Sequence, residues 1–112
     1  MPPRPKRGMV KPGPRAYVFQ GQKETTMERI PFGRTGRMTT RLGFGAWAIG
    51  GTWGEVSVED AKATLHAALD AGMTFIDTAD VYGDGRSERS SREVLAARPG
   101  ETPVVANKAG RR

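Results

Sequence analysis

The 112-residue chain contains no cysteine, which removes a disulfide framework and any thiolate metal site. It has one histidine, His66, placed inside a helical pattern with no chemistry-bearing neighbour in sequence. His66 therefore reads as a packed or surface helical residue, and no metal site is expected. No apolar run approaches the ~20 residues that a bilayer crossing needs, and no apolar core follows the basic start as a secretory signal would require. The expectation is a protein with no membrane span, compatible with a reducing compartment and hence cytoplasmic. The glycine-rich stretch Gly50-Gly51-Thr52-Trp53-Gly54 lacks the lysine and following hydroxyl of a phosphate-binding loop. No glycine-rich dinucleotide fingerprint stands elsewhere in the chain.

Acidic residues are scarce at one end. Arg4, Lys6, Arg7, Lys11, Arg15 and Lys23 face only Glu24, so +5 of the formal net charge of +6 belongs to residues 1–26. Five of the eight prolines lie there too, and no apolar periodicity is sustained. Such a segment has little to bury and reads as a disordered basic tail. A basic arm can touch phosphates, but a charge run is more often a solvated tail, so nucleic acid is not the expected partner. The body, residues 27–112, is nearly neutral.

Within the body, residues 29–32 and 37–41 flank Gly33-Arg34-Thr35-Gly36 and predict a hairpin, with Pro31 confining its strand to a sheet edge. Leu42–Ala46 predicts a first buried strand. Ser57 predicts a helix cap, with Glu59 and Asp60 placing negative charge in the first turn. Ala61, Leu65, Ala68 and Leu69 then recur on one face, and Gly72 stops the helix at the position after its C-cap. Strand Met73–Asp77 follows, making a β-α-β unit with parallel pairing. Ser87–Ala97 predicts a second helix with few apolar positions, capped by the Ser87 hydroxyl and broken by Pro99-Gly100. Val104–Asn107 predicts a third strand. The fold class is α/β.

The stretch that organises the chain is Phe75-Ile76-Asp77-Thr78-Ala79-Asp80-Val81-Tyr82-Gly83-Asp84-Gly85-Arg86-Ser87-Glu88. An apolar strand ends abruptly in acidic residues, a tyrosine and two glycines. Parallel strands buried on both faces read as continuous apolar runs, and α/β barrels keep their chemistry just past the strand ends. The string Asp77–Glu88, in this strand-loop-helix setting, resembles the aldo-keto reductase family. Leu42-Gly-Phe-Gly-Ala-Trp-Ala-Ile-Gly50 is similar to that family's first barrel strand and loop, and Val104-Val-Ala-Asn-Lys108 to its third strand. The resemblance covers Met27 to Arg112.

The resemblance implies the N-terminal part of a TIM (β/α)8 barrel, with the hairpin lying across the bottom and away from the active site. It implies an NADPH-dependent oxidoreductase that reduces aldehydes or ketones to alcohols by hydride transfer. Tyr82 would be the general acid, Lys108 its tuner and Asp77 the anchor of Lys108. A free tyrosine, with a pKa of about 10, is a weak acid at neutral pH, and a neighbouring ammonium favours its phenolate. Gly45, Ala46 and Asp77 would contact the cofactor, and Trp47 would line the pocket of a small carbonyl substrate. A complete barrel runs to about 250 residues, and the family's catalytic histidine and most of its cofactor loops have no counterpart here. The chain is therefore expected to be a fragment, inactive by itself, with exposed sheet edges prone to self-association. The competing readings are a catalytically dead interaction module and a nucleic-acid-binding protein that acts through its basic tail.

Overall fold

The computed structural model describes residues 27–51 and 54–111. The basic segment 1–26 and Trp53 lie outside the described residues.

The chain enters through an antiparallel hairpin, β1 (Arg29–Pro31) and β2 (Met38–Thr40), in the register Arg29↔Thr40, Ile30↔Thr39, Pro31↔Met38. Its turn closes through Phe32 N–H to Arg37 O (2.8 Å). Gly33 and Gly36 both sit at positive φ, a conformation that costs glycine little. Two reciprocal 2.9 Å bonds tie the hairpin to the sheet: Thr40 N–H to Thr74 Oγ1, and Thr74 N–H to Thr40 Oγ1. The Phe32 and Phe75 rings meet edge to face at 5.5 Å. Thr74 and Phe75 open the central strand, so the hairpin occupies the N-terminal end of the sheet.

That sheet is parallel and three-stranded, in the order β3 (Phe44–Gly45), β4 (Phe75–Asp77), β5 (Val104–Ala106). Helix α1 (Val58–Asp70) joins β3 to β4, and α2 (Arg86–Ala96) joins β4 to β5. Among the described residues β3 and β5 remain edges, and the sheet does not close. Strand β3 is shorter than the expected Leu42–Ala46. The Leu42 carbonyl accepts from the Thr40 hydroxyl at 2.6 Å, which bends the chain, and Leu42 lies exposed.

Helix α1 follows its sequence signals. Ser57 accepts from Asp60 N–H at 3.0 Å. At the other end Gly72 N–H reaches Leu69 O (3.0 Å) and Met73 N–H reaches Ala68 O (3.1 Å). This paired closure needs a left-handed residue, and Gly72 has φ +99°. Ala61, Leu65 and Leu69 are buried against Ile76, Ala46, Ile49 and Val94 to form the core.

Helix α2 corrects the sequence reading. Its N-cap is Gly85, at φ +90°, and no side chain caps it. Ser87 lies one residue inside the helix and is completely buried. Ser87, Ser90, Ser91 and Val94 are all buried and fall at i, i+3, i+4 and i+7. The packed face is present but is built mainly of serine, which an apolar count does not register.

The register sets the faces. Ile76 pairs with both Phe44 and Val105, and paired residues in a parallel ladder point the same way. Ile76 faces the helices, so Phe75 and Asp77 face the opposite side. Val105 also points to the helix side but stays exposed, lining an open surface cavity with Ser91, Arg92 and Leu95 of α2.

Candidate active site

Parallel strands present their C-terminal ends on one side. Here that rim carries Ala46 and Trp47 after β3, Asp77 at the end of β4, and Asn107 and Lys108 after β5. The ladder continues past the strands through Ala46 N–H to Asp77 O (2.8 Å), Thr78 N–H to Ala106 O (2.8 Å) and Asp80 N–H to Lys108 O (3.0 Å). Backbone bonding thus fixes the exits of all three strands relative to one another.

Asp77, Tyr82 and Lys108 converge. The Lys108 ammonium forms an ion pair with Asp77 Oδ1 and donates to Thr78 O at 2.7 Å. It lies 5.3 Å from the centroid of the Tyr82 ring, within reach of a cation–π attraction. The hydrogen bond from Lys108 to the Asp77 carboxylate holds the ammonium above the ordinary lysine pKa, and the proximity of Tyr82 adds to this. The side chains of Lys108 and Asp77 are each about half exposed (50% and 49%), so the pair is open to a ligand.

Three arrangements that the sequence reading did not contain support this rim. First, Gly50 and Gly83 pack backbone to backbone. A Cβ on Gly50 would stand 2.8 Å from both Gly83 N and Tyr82 C, and one on Gly83, at φ +62°, would collide with the Gly50 carbonyl. The tyrosine loop therefore rests directly on the short 3-10 turn Ala48–Gly50. Second, the buried Ser87 hydroxyl donates to Ala46 O at 2.9 Å. Its single proton being committed, it accepts from Thr78 Oγ1 at 2.8 Å. One side chain thereby joins the exits of β3 and β4 to the start of α2. Third, Arg86 donates to Val56 O, drawing the first turn of α2 toward the entry of α1. The only signal in sequence is the pair of glycine-bearing loops, and nothing there says that they touch.

The remaining expected residues separate. Gly45 is exposed, and a Cβ built on it meets no atom within 4 Å. Ala46 is fully buried, with its N–H on Asp77 and its carbonyl on Ser87, so it offers a ligand no surface. Trp47 is half-exposed at the rim. His66 lies away from the rim and takes Arg98 Nη1 on its Nδ1 at 3.0 Å. Arg98 also binds Asp70 and Glu101 (2.6 and 2.9 Å), and these bonds, that to Glu101 foremost, raise its pKa above the ordinary arginine value. A cavity of about 540 Å³ is lined by Arg29, Thr74, Arg98 and Pro103. It opens at the N-terminal end of the sheet, opposite the converging groups, and reflects how the hairpin docks. Among the described residues no group of three or more His, Asp or Glu side chains could hold a metal ion, and no helix is long and apolar enough to cross a membrane.

Residues 41–112 match the model of the aldo/keto reductase family. Pyridoxal 4-dehydrogenase of Microbacterium luteolum is 40% identical over 84 residues, covering 75% of this chain and 24% of that protein. Aldo-keto reductase YhdN of Bacillus subtilis is 49% identical over 63 residues, 55% of this chain and 19% of its own. Among solved structures, the holo form of an aldo-keto reductase from Bacillus halodurans superposes with a TM-score of 0.66 at 26% identity, over 77% of this chain and 27% of that one. The chain thus spans about a quarter or less of the length of these relatives. The family model covers well over half of the chain, its fold agrees with the solved relative, and the chain belongs to the aldo/keto reductase family.

Proposed function

We propose that the rim serves oxidoreduction between a carbonyl and an alcohol, with Tyr82 as proton donor, Lys108 as its electrostatic partner and Asp77 as the anchor of Lys108. The observation that carries this reading is the Lys108 ammonium, bound to Asp77 and set 5.3 Å from the Tyr82 ring. As an alkoxide develops on the substrate, the Tyr82 hydroxyl supplies the proton, and the adjacent ammonium stabilises the phenolate left behind. Asp77 keeps the lysine charged and aimed.

A reduced nicotinamide dinucleotide, proposed as NADPH, would supply the hydride when bound. The residues present fit one part of it. Gly45 is exposed with open space above it, so a flat ring can approach the strand end where any side chain would intervene. Gly45, and not the buried Ala46, is the proposed contact, together with Asp77. Trp47 would form one wall for a small aldehyde or ketone. In this reading residues 27–112 supply the first three strands of a (β/α)8 barrel, and residues 1–26 are an extension with no part in the chemistry.

The test is a chimera that joins this chain to the remaining length of the Bacillus subtilis relative. Carbonyl-dependent oxidation of NADPH, and of NADH for comparison, is followed by absorbance. Tyr82→Phe should lower turnover by about 10²–10⁴-fold, the usual worth of a general acid, while nucleotide binding persists. Wild-type turnover in Tyr82→Phe would remove Tyr82 from the role of proton donor.

A further inference from the structure

Lys108 stands beyond the end of the regular sheet, on a flexible four-carbon stem, half-exposed. Its carbonyl is held by Asp80 N–H, which fixes one side of its peptide. The other side is fixed differently. Lys108 N–H donates to the Asn107 side-chain Oδ1 at 2.9 Å, and the same amide donates through Nδ2 to Glu88 Oε1 at 2.6 Å. Glu88 belongs to the first turn of α2, next to the buried Ser87 that locks this helix to the exits of β3 and β4.

We propose that Glu88 is a positioning residue for Lys108, acting through the side-chain amide of Asn107. The amide is planar, so fixing Nδ2 on the carboxylate also fixes Oδ1. Only one orientation satisfies both contacts. Flipped, the amide would turn its NH2 toward the Lys108 N–H and its oxygen toward the carboxylate, replacing two attractions with two repulsions. The bond to a carboxylate is the stronger kind of hydrogen bond. Helix α2 thereby sets the peptide of Lys108 through Glu88, and the ammonium reaches Asp77 and Tyr82 from a backbone that does not swing. This role rests on the proposed function of Lys108 but concerns a residue outside that triad.

The groups facing the ammonium are Asp77 from β4 and Tyr82 from the following loop. Arg92 shares a surface cavity with Glu88 and Asn107, so the charge of Glu88 has to be separated from its hydrogen bond. Glu88→Gln keeps the accepting oxygen and loses the charge, whereas Glu88→Ala and Asn107→Ala each break the bridge. Asn107 is exposed, so Asn107→Ala leaves the core untouched should Glu88→Ala perturb folding.

The experiment titrates the lysine side chains of the purified chain by NMR with isotopically labelled lysine. The circular-dichroism spectrum of each variant is the control for folding. In the wild-type chain and in Glu88→Gln, Lys108 should titrate above the ordinary lysine range. Glu88→Ala and Asn107→Ala should each lose that upward shift, the double variant should lose no more than either, and the circular dichroism should stay that of the wild type. An unmoved Lys108 in Glu88→Ala overturns the proposal, and so does a shift that is lost in both alanine variants only together with the helical signal. A fall in Glu88→Gln equal to that in Glu88→Ala would assign the effect to charge and also overturn it. Turnover is not read, so a failed Tyr82→Phe test and a failed titration remain distinguishable.

Discussion

Replacing Ser87 with alanine isolates the buried hydroxyl that joins three elements. Ser87 is 0% exposed and Thr78 1%, so water does not replace the lost partner. The vacated volume of one oxygen is also too small to admit a water molecule. The substitution removes the 2.9 Å bond to Ala46 O and the 2.8 Å bond from Thr78 Oγ1. Each of the two buried groups left without a partner costs about 1–3 kcal/mol, which places the total at about 2–6 kcal/mol. For a body of this size, at ~0.05–0.15 kcal/mol per residue, that is a large share of its stability. Urea unfolding followed by tryptophan fluorescence should show the midpoint falling by about 2 M or more, taking a slope near 1 kcal/mol/M for a small domain. The slope itself should not change. Thr78→Val removes the shared bond from its other end, so Ser87→Ala and Thr78→Val should cost less together than their sum, by about 1 kcal/mol. An unchanged midpoint in Ser87→Ala, or strict additivity of the two substitutions, would refute the reasoning.

Further outcomes follow from the same geometry. Gly83→Ala should destabilise by more than the ~1–2 kcal/mol of a left-handed non-glycine residue, because its Cβ meets the Gly50 carbonyl, a backbone atom; a loss no larger than that, read from the urea midpoint, would mean that the two loops part easily. The pKa of Lys108 is raised by folding, so the stabilisation from its pair with Asp77 is complete below the ordinary lysine value and is lost as pH rises through the folded value. The difference in urea midpoint between wild type and Asp77→Asn should therefore hold from neutral pH to about pH 10 and close above it. The bond from Lys62, which joins α1 to α2, lowers the pKa of Glu93. Its contribution is present above the ordinary carboxylate value of 4.5 and fades as pH falls through the lower folded value, so the gap between wild type and Glu93→Gln should shrink on acidification. Strands β3 and β5 present open edges beside exposed Trp47 and Val105, and such edges invite pairing; sedimentation of the chain should show concentration-dependent association, and a monomer at every concentration would count against it.

Features carried by neighbours in sequence were legible in it. The hairpin follows from two turn glycines between extended flanks. Helix α1 follows from a serine cap, an acidic first turn, a periodic apolar face and a stop glycine, each acting within four or five residues. The rim was legible by one further step, since strands that alternate with helices run parallel and bring Asp77, Tyr82 and Lys108 to the same side. Contacts between segments far apart in the chain were decided only by the tertiary structure. Ser87 looked like a helix cap because a hydroxyl before a helical run has that local use. Its actual partner, Ala46 O, lies 41 residues away, and a side-chain cap was not needed because Arg86 N–H and Ser87 N–H reach Gly83 O and Tyr82 O of the preceding loop. Ala46 looked available to a cofactor from its place at a strand end, yet the arrival of Asp77 and Ser87 at its two backbone groups closed it off. The contact of Gly50 with Gly83 and the bridge from Glu88 through Asn107 to Lys108 are of the same kind. Glycine and asparagine suit many local settings, and only the packing of α2 against the strand exits decided what each of them touches.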